Sequence, residues 1–123
     1  MKLNKKQSET RDKIKSIALA MGVDPIWAIS IAMVESSLGL NQRSPTGCKG
    51  VFQISTIAMK DLLLEMEKSD DDIIDIASGL AFLHLLLKRF KTIEKATSHF
   101  CDPADRDFYI GRVKSYMKEF NNE

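Results

Sequence analysis

The segment Pro25, Ile26, Trp27, Ala28, Ile29, Ser30, Ile31, Ala32, Met33, Val34 carries no charge and has no polar face. Asp24 before it is a good N-cap residue, and Pro25 takes the first helical position, where its missing N–H costs nothing. The segment therefore opens as a helix. A helix that is apolar nearly all round belongs in the middle of a domain, enclosed by other elements. It is far shorter than the roughly 18 apolar residues that suggest a bilayer span, so it is a core helix. The first charge after it is Glu35.

The flanking sequence supplies the enclosing elements. Across Met1 to Met21, the residues Ile14, Ile17, Ala18 and Met21 recur at helical spacing between charges, and Gly22 ends the run as a C-terminal glycine cap. Gly39 to Gly50 is rich in turn-forming residues and reads as an irregular loop. A short helix is expected from about Thr56 to Glu67. Beyond Ser69 and the run Asp70, Asp71, Asp72, a further helix places Ile76, Leu80, Leu83, Leu87 and Phe90 on one stripe. A last helix is expected near Asp107 to Phe120. The expectation is one mainly α domain over residues 1–123, with about five to six helices around a central buried helix and little or no β-sheet. A length of 123 residues, 44% of them hydrophobic and 28% charged, suits one globular domain.

Composition also narrows the partners. Eighteen basic against seventeen acidic residues leave a formal charge of +1, too little to hold a polyanion, so nucleic acid is not an expected partner. Lys2, Lys5, Lys6, Arg11, Lys13 and Lys15 form a basic N-terminal stretch that reads first as a solvated helix face, with contact to anionic wall polymers as the functional alternative. No apolar run or cleavage site follows it, so no export signal is expected, and neither is an integral membrane segment. Cys48 and Cys101 are not in a metal-binding spacing; free thiols are the default for them, and a bridge between the two stays open. Asp70, Asp71, Asp72 and Asp75 lack the alternation and glycine of an EF-hand and read as negative charge at a helix N-terminus. No metal or cofactor is expected, and His84, within an apolar run, is assigned no role.

Glu35 is the candidate catalytic residue. A carboxyl group at the C-terminal end of a buried helix meets low polarity and the negative end of the helix dipole, and both favour its protonated form. A group of that kind can protonate the leaving oxygen of a glycosidic bond. Position alone favours an ordinary surface glutamate ending a helix, because perturbed carboxylates are the rarer case.

The residues that follow decide between the two. After Val34, Glu35, Ser36 and Ser37, the chain reads Ser44, Pro45, Thr46, Gly47, Cys48, Lys49, Gly50, Val51, Phe52, Gln53, Ile54. This resembles the soluble lytic transglycosylases and goose-type lysozymes, whose apolar helix ends in Glu-Ser before a loop of Ser-x-x-Gly-small-x-Gly-Leu-Met-Gln-Ile. Asp75, Ile76, Ala77, Ser78, Gly79, Leu80, Ala81, Phe82, Leu83 is similar to a second pattern of that family, Asn-Ile-x-x-Gly-x-x-Tyr-Leu.

The resemblance implies a lysozyme-like fold of the α+β superfamily and peptidoglycan glycan strands as the substrate. It implies Ser44 near the catalytic carboxylate, and Phe52 and Gln53 lining the subsites beside the scissile bond. Gly47 and Gly50 let the backbone approach a ligand, and the Gln53 amide both donates and accepts. Gly50 and Val51 complete the binding loop.

The family's Tyr-Asn pair before the last helix is absent. Ala96, Thr97, Ser98, His99, Phe100, Cys101 stand there instead, so His99 or Phe100 could take the tyrosine's place. The later Tyr109, Ile110, Gly111, Arg112, Val113 resembles the Tyr-Val-x-x-Val that opens the family's last helix, and Tyr109 joins the substrate-binding set.

A hydrolase needs a second carboxylate, and none lies between Glu35 and Asp61, although Asp61, Asp102 or Asp105 could fold back. The expected activity is therefore a monomeric peptidoglycan lytic transglycosylase that uses Glu35 alone. A hydrolytic muramidase of the same fold and an inactive glycan-binding domain are the alternatives. Without an export signal, such an enzyme would be made in the cytoplasm and reach the wall by another route, such as a phage lysis system or particle.

Overall fold

The computed structural model describes residues 1–42, 50–54, 72–100 and 105–122. Five helices occur among these residues, and no strand. The helix expected at Thr56 to Glu67, Asp70 and Asp71, and both cysteines lie outside them.

Helix α1 runs Lys5–Met21. It starts at Lys5 rather than Met1 because Asn4 and Gln7 form a reciprocal capping box: Gln7 N–H donates to Asn4 Oδ1 at 2.8 Å and Asn4 N–H to Gln7 Oε1 at 3.1 Å. Gly22 closes it in a left-handed conformation, φ 73°. Helix α2 spans Pro25–Ser36, with Asp24 Oδ1 accepting from the N–H groups of Ile26 at 2.9 Å and Trp27 at 3.2 Å.

Helix α2 is the enclosed one. Trp27, Ala28, Ile31 and Ala32 are fully buried, and the helix packs against α1 on one side and α5, Arg106–Asn121, on the other. Burying the Trp27 ring requires an acceptor for its N–H, and Thr97 Oγ1 supplies one at 2.9 Å. Thr97 lies in α4, Ile93–Ser98, a six-residue helix that the hydrophobic pattern does not announce. It is too short for a period to register, although Thr92 caps it through the Lys95 N–H.

Helix α3, Asp72–Phe90, bears the expected stripe: Ile76, Leu80 and Leu83 are buried, with Leu87 and Phe90 packed against the same cluster. It lies against α1 and α4, and α4 in turn against α5. All five helices contribute to one apolar cluster, represented by Ile14, Ile31, Leu83, Ala96 and Val113. No helix among the described residues is long and apolar enough to cross a membrane.

Candidate active site

Glu35 occupies the last turn of α2. Directly after the helix the chain turns back on itself through three left-handed residues, Ser37 at φ 51°, Leu38 at φ 54° and Gly39 at φ 87°. Ser37 N–H donates to the Met33 carbonyl at 3.0 Å and Leu38 N–H to the Ala32 carbonyl at 3.2 Å, which closes the helix end. Two non-glycine residues in this region each cost on the order of 1 kcal/mol. Complete burial of the Leu38 side chain helps to hold them there.

The surroundings of Glu35 make it a weak acid. Burial pushes its carboxyl from 4.5 up to about 7, while a hydrogen bond from Tyr109 and the positive charge of Arg112 pull the other way. The Tyr109 hydroxyl donates to Glu35 Oε2 at 3.2 Å. With a pKa near the working pH, the group is present in both its acid and base forms.

Next to this helix end lies the segment 50–54, held by contacts to two helices. Val51 N–H donates to Asp75 Oδ2 of α3 at 2.9 Å, and the Val51 carbonyl accepts from the Ser36 hydroxyl of α2 at 2.6 Å. Ser36 also accepts from Gly39 N–H at 3.0 Å, so one buried hydroxyl joins the turn after α2 to the segment. Gly50 has φ 92°, and a Cβ there would collide with the Asp75 carboxylate. One helical turn along α3, Gly79 leaves the space that the Phe52 ring fills. The two sequence patterns that resembled one family are thus two sides of a single contact, since Asp75 and Gly79 on one face of α3 receive Gly50, Val51 and Phe52.

The residues expected at the site separate into groups. Ser44 lies outside the described residues. Val51 and Phe52 are each 1% exposed, with side chains in the core, so any part they take at a sugar subsite falls to their backbone. Gln53 is partly exposed at φ 51°, and its Nε2 donates to the Gly50 carbonyl at 2.7 Å, tying off the turn.

His99 and Phe100 were expected in the place of the tyrosine beside Glu35; among the described residues the side chain hydrogen-bonded to Glu35 is that of Tyr109. His99 is exposed and stacks on Phe90 with ring centroids 3.6 Å apart, its Nδ1–H donating to the Lys95 carbonyl at 2.8 Å. Phe100 lies between Phe82, met edge-on at 5.3 Å, and Tyr109, with which it stacks at 6.4 Å. It buttresses the tyrosine from behind.

Three participants went unassigned in the sequence. Ser36 had no task beyond following Glu35. Asp75 showed its task only once Val51 was in place. Arg112 is one turn from Tyr109 on α5, and that i, i+3 spacing was the available signal.

A partly buried glutamic acid at the end of an enclosed helix, beside a glycine-bearing turn in a mainly α domain, is an arrangement that can supply a general acid. The family model described as Transglycosylase SLT domain matches residues 12–104, and the chain belongs to that family. It is thereby a transglycosylase-type domain directed at peptidoglycan. Neither the curated proteins nor the solved structures gave a match. The family match takes in Glu35, the 50–54 segment and Asp75 but ends before Tyr109 and Arg112.

Proposed function

We propose that this chain is a lytic transglycosylase that cleaves the β-1,4 bond between N-acetylmuramic acid and N-acetylglucosamine, with Glu35 as both acid and base. The protonated carboxyl of Glu35 gives its proton to the bridging oxygen, and the N-acetylglucosamine side leaves as an alcohol. The muramoyl 2-acetamido carbonyl oxygen bonds to C1 as the C1–O bond breaks. Glu35, now a carboxylate accepting from Tyr109, takes the proton of the muramoyl 6-hydroxyl. O6 then bonds to C1 and the acetamide is restored, leaving a 1,6-anhydro ring and the acid form of Glu35. No water is consumed.

The observation that carries this reading is the Glu35 carboxyl held at about 7, where one group can serve both half-reactions. Analysis of peptidoglycan digests by mass spectrometry tests it. Anhydro-muropeptides are the expected products; reducing ends would mean hydrolysis, and no products a binding domain. Glu35→Gln should lower turnover by about 10²–10⁴-fold, the usual worth of a general acid. Full activity in that variant would remove Glu35 from the mechanism.

A further inference from the structure

Tyr109 and Arg112 are three residues apart on α5, so their side chains leave the helix on neighbouring positions of one face. Tyr109 uses that face to reach Glu35. Arg112 is exposed and close enough for its charge to act on Glu35. Two other cations nearby on the same helix are already engaged: Arg106 Nε donates to the Ser98 carbonyl at 2.9 Å, and Lys114 pairs with Glu94 at 2.8 Å. Arg112 makes no hydrogen bond or ion pair with any described residue. An exposed guanidinium one turn from the residue that bonds Glu35, presenting a planar fork of donors, is suited to a carboxylate.

The substrate class supplies such a group. The sugar rings and acetamido groups of the glycan are neutral, and its anionic groups are carried on the muramoyl residue, whose C1 is the reacting carbon. They are the lactyl carboxylate where no peptide is attached, or the carboxylates of the stem peptide where one is. We propose that Arg112 is a specificity-determining binding residue that pairs with a carboxylate on the muramoyl side of the scissile bond. This rests on the glycan-cleaving role proposed above.

The test compares wild type, Arg112→Gln and Arg112→Lys on three glycans: intact, freed of stem peptides by an amidase, and intact with carboxylates converted to amides. Assays run at about pH 5.5, where Glu35 stays largely protonated with or without its neighbour. Arg112→Gln should raise KM by about ten-fold on a carboxylate-bearing glycan, with little change in kcat, and have no effect on the amidated one. Arg112→Lys should recover part of the loss. Sensitivity confined to the stem-free glycan assigns the lactyl carboxylate, sensitivity confined to the intact glycan assigns the stem peptide, and sensitivity on both shows that Arg112 takes either.

An equal rise in KM on native and amidated glycan, or no rise on either, overturns the proposal. Pelleting with the same glycans in the Glu35→Gln background measures binding without turnover. Binding that depends on Arg112 in a chain whose wild type cleaves nothing would overturn the catalytic reading and leave this one standing. Cleavage with binding indifferent to Arg112 would do the reverse.

Discussion

Tyr109 and Glu35 are 74 positions apart in the chain, and the phenol oxygen of one lies 3.2 Å from Oε2 of the other. The hydrogen bond stabilises the carboxylate and so opposes the rise that burial imposes. Removing it in Tyr109→Phe moves the Glu35 pKa further above about 7. In the proposed mechanism cleavage begins with the protonated acid, so the alkaline limb of kcat/KM should shift to higher pH. A pH–rate profile reads this directly, and an unmoved limb would mean that the hydroxyl does not govern the acid.

Glu35 should also leave a mark on stability. Its pKa is 4.5 in the ordinary state and about 7 in the fold, so between those values the folded chain binds a proton that the unfolded chain has lost. The stabilising contribution is complete below 4.5 and disappears as pH rises through about 7, a change of at most about 3 kcal/mol. Glu35→Gln abolishes this dependence. Denaturant melts should show the variant more stable than wild type near pH 8 and the difference shrinking toward pH 4, the usual stability cost of an active-site group.

The contact between Phe52 and Gly79 makes a sharper structural prediction. Gly79→Ala drives a methyl group into a ring that is 1% exposed and has nowhere to move, and should cost about 1–3 kcal/mol. Adding Phe52→Leu should return part of that loss. A double-mutant cycle in denaturant melts checks the coupling, and strict additivity would place the two residues apart.

Trp27 is the chain's single tryptophan, and its N–H depends on Thr97 Oγ1. Thr97→Val keeps the volume but leaves a buried donor without its acceptor, at a cost of about 1–3 kcal/mol. Denaturant melts followed by tryptophan fluorescence measure it. A loss below a few tenths of a kcal/mol would show that another acceptor takes over.

Asp75 offers a test of how the turn is held. Asp75→Ala removes the acceptor for Val51 N–H, and the segment 50–54 should loosen against α3. Hydrogen exchange at the Val51 amide should accelerate, whereas the amides of α2 keep their protection. Unchanged exchange at Val51 would assign its protection to the Ser36 contact alone.

The central helix was legible because its composition admits one interpretation: a run from Pro25 to Val34 without charge must be enclosed, and Asp24 with Pro25 marks its start. The α3 stripe was legible for the same reason, being long and regular. Helix α4 was not, since six residues hold too little periodicity, and its importance lies in a hydrogen bond from Trp27 that spans 70 positions. At the site, local spacing singles out Glu35 as the candidate. The family pattern puts a tyrosine partner where this chain has His99 and Phe100. In this chain the hydroxyl arrives instead from the first turns of α5, a long-range contact that no local pattern encodes. Phe52 differs in another way: the resemblance implies that it lines a sugar subsite, whereas its ring lies in the core and fits there because Gly79 has no side chain.

The placement of Tyr109 and Arg112 beyond residue 104 divides responsibility within the enzyme. The body of the domain buries the Glu35 carboxyl and so raises its pKa, while the last helix, itself part of the core through Val113 and Phe120, brings the hydroxyl and the charge that lower it. Exchanging side chains on the Glu35-facing side of that helix should therefore retune the acidity of Glu35 while leaving in place the burial that raises it.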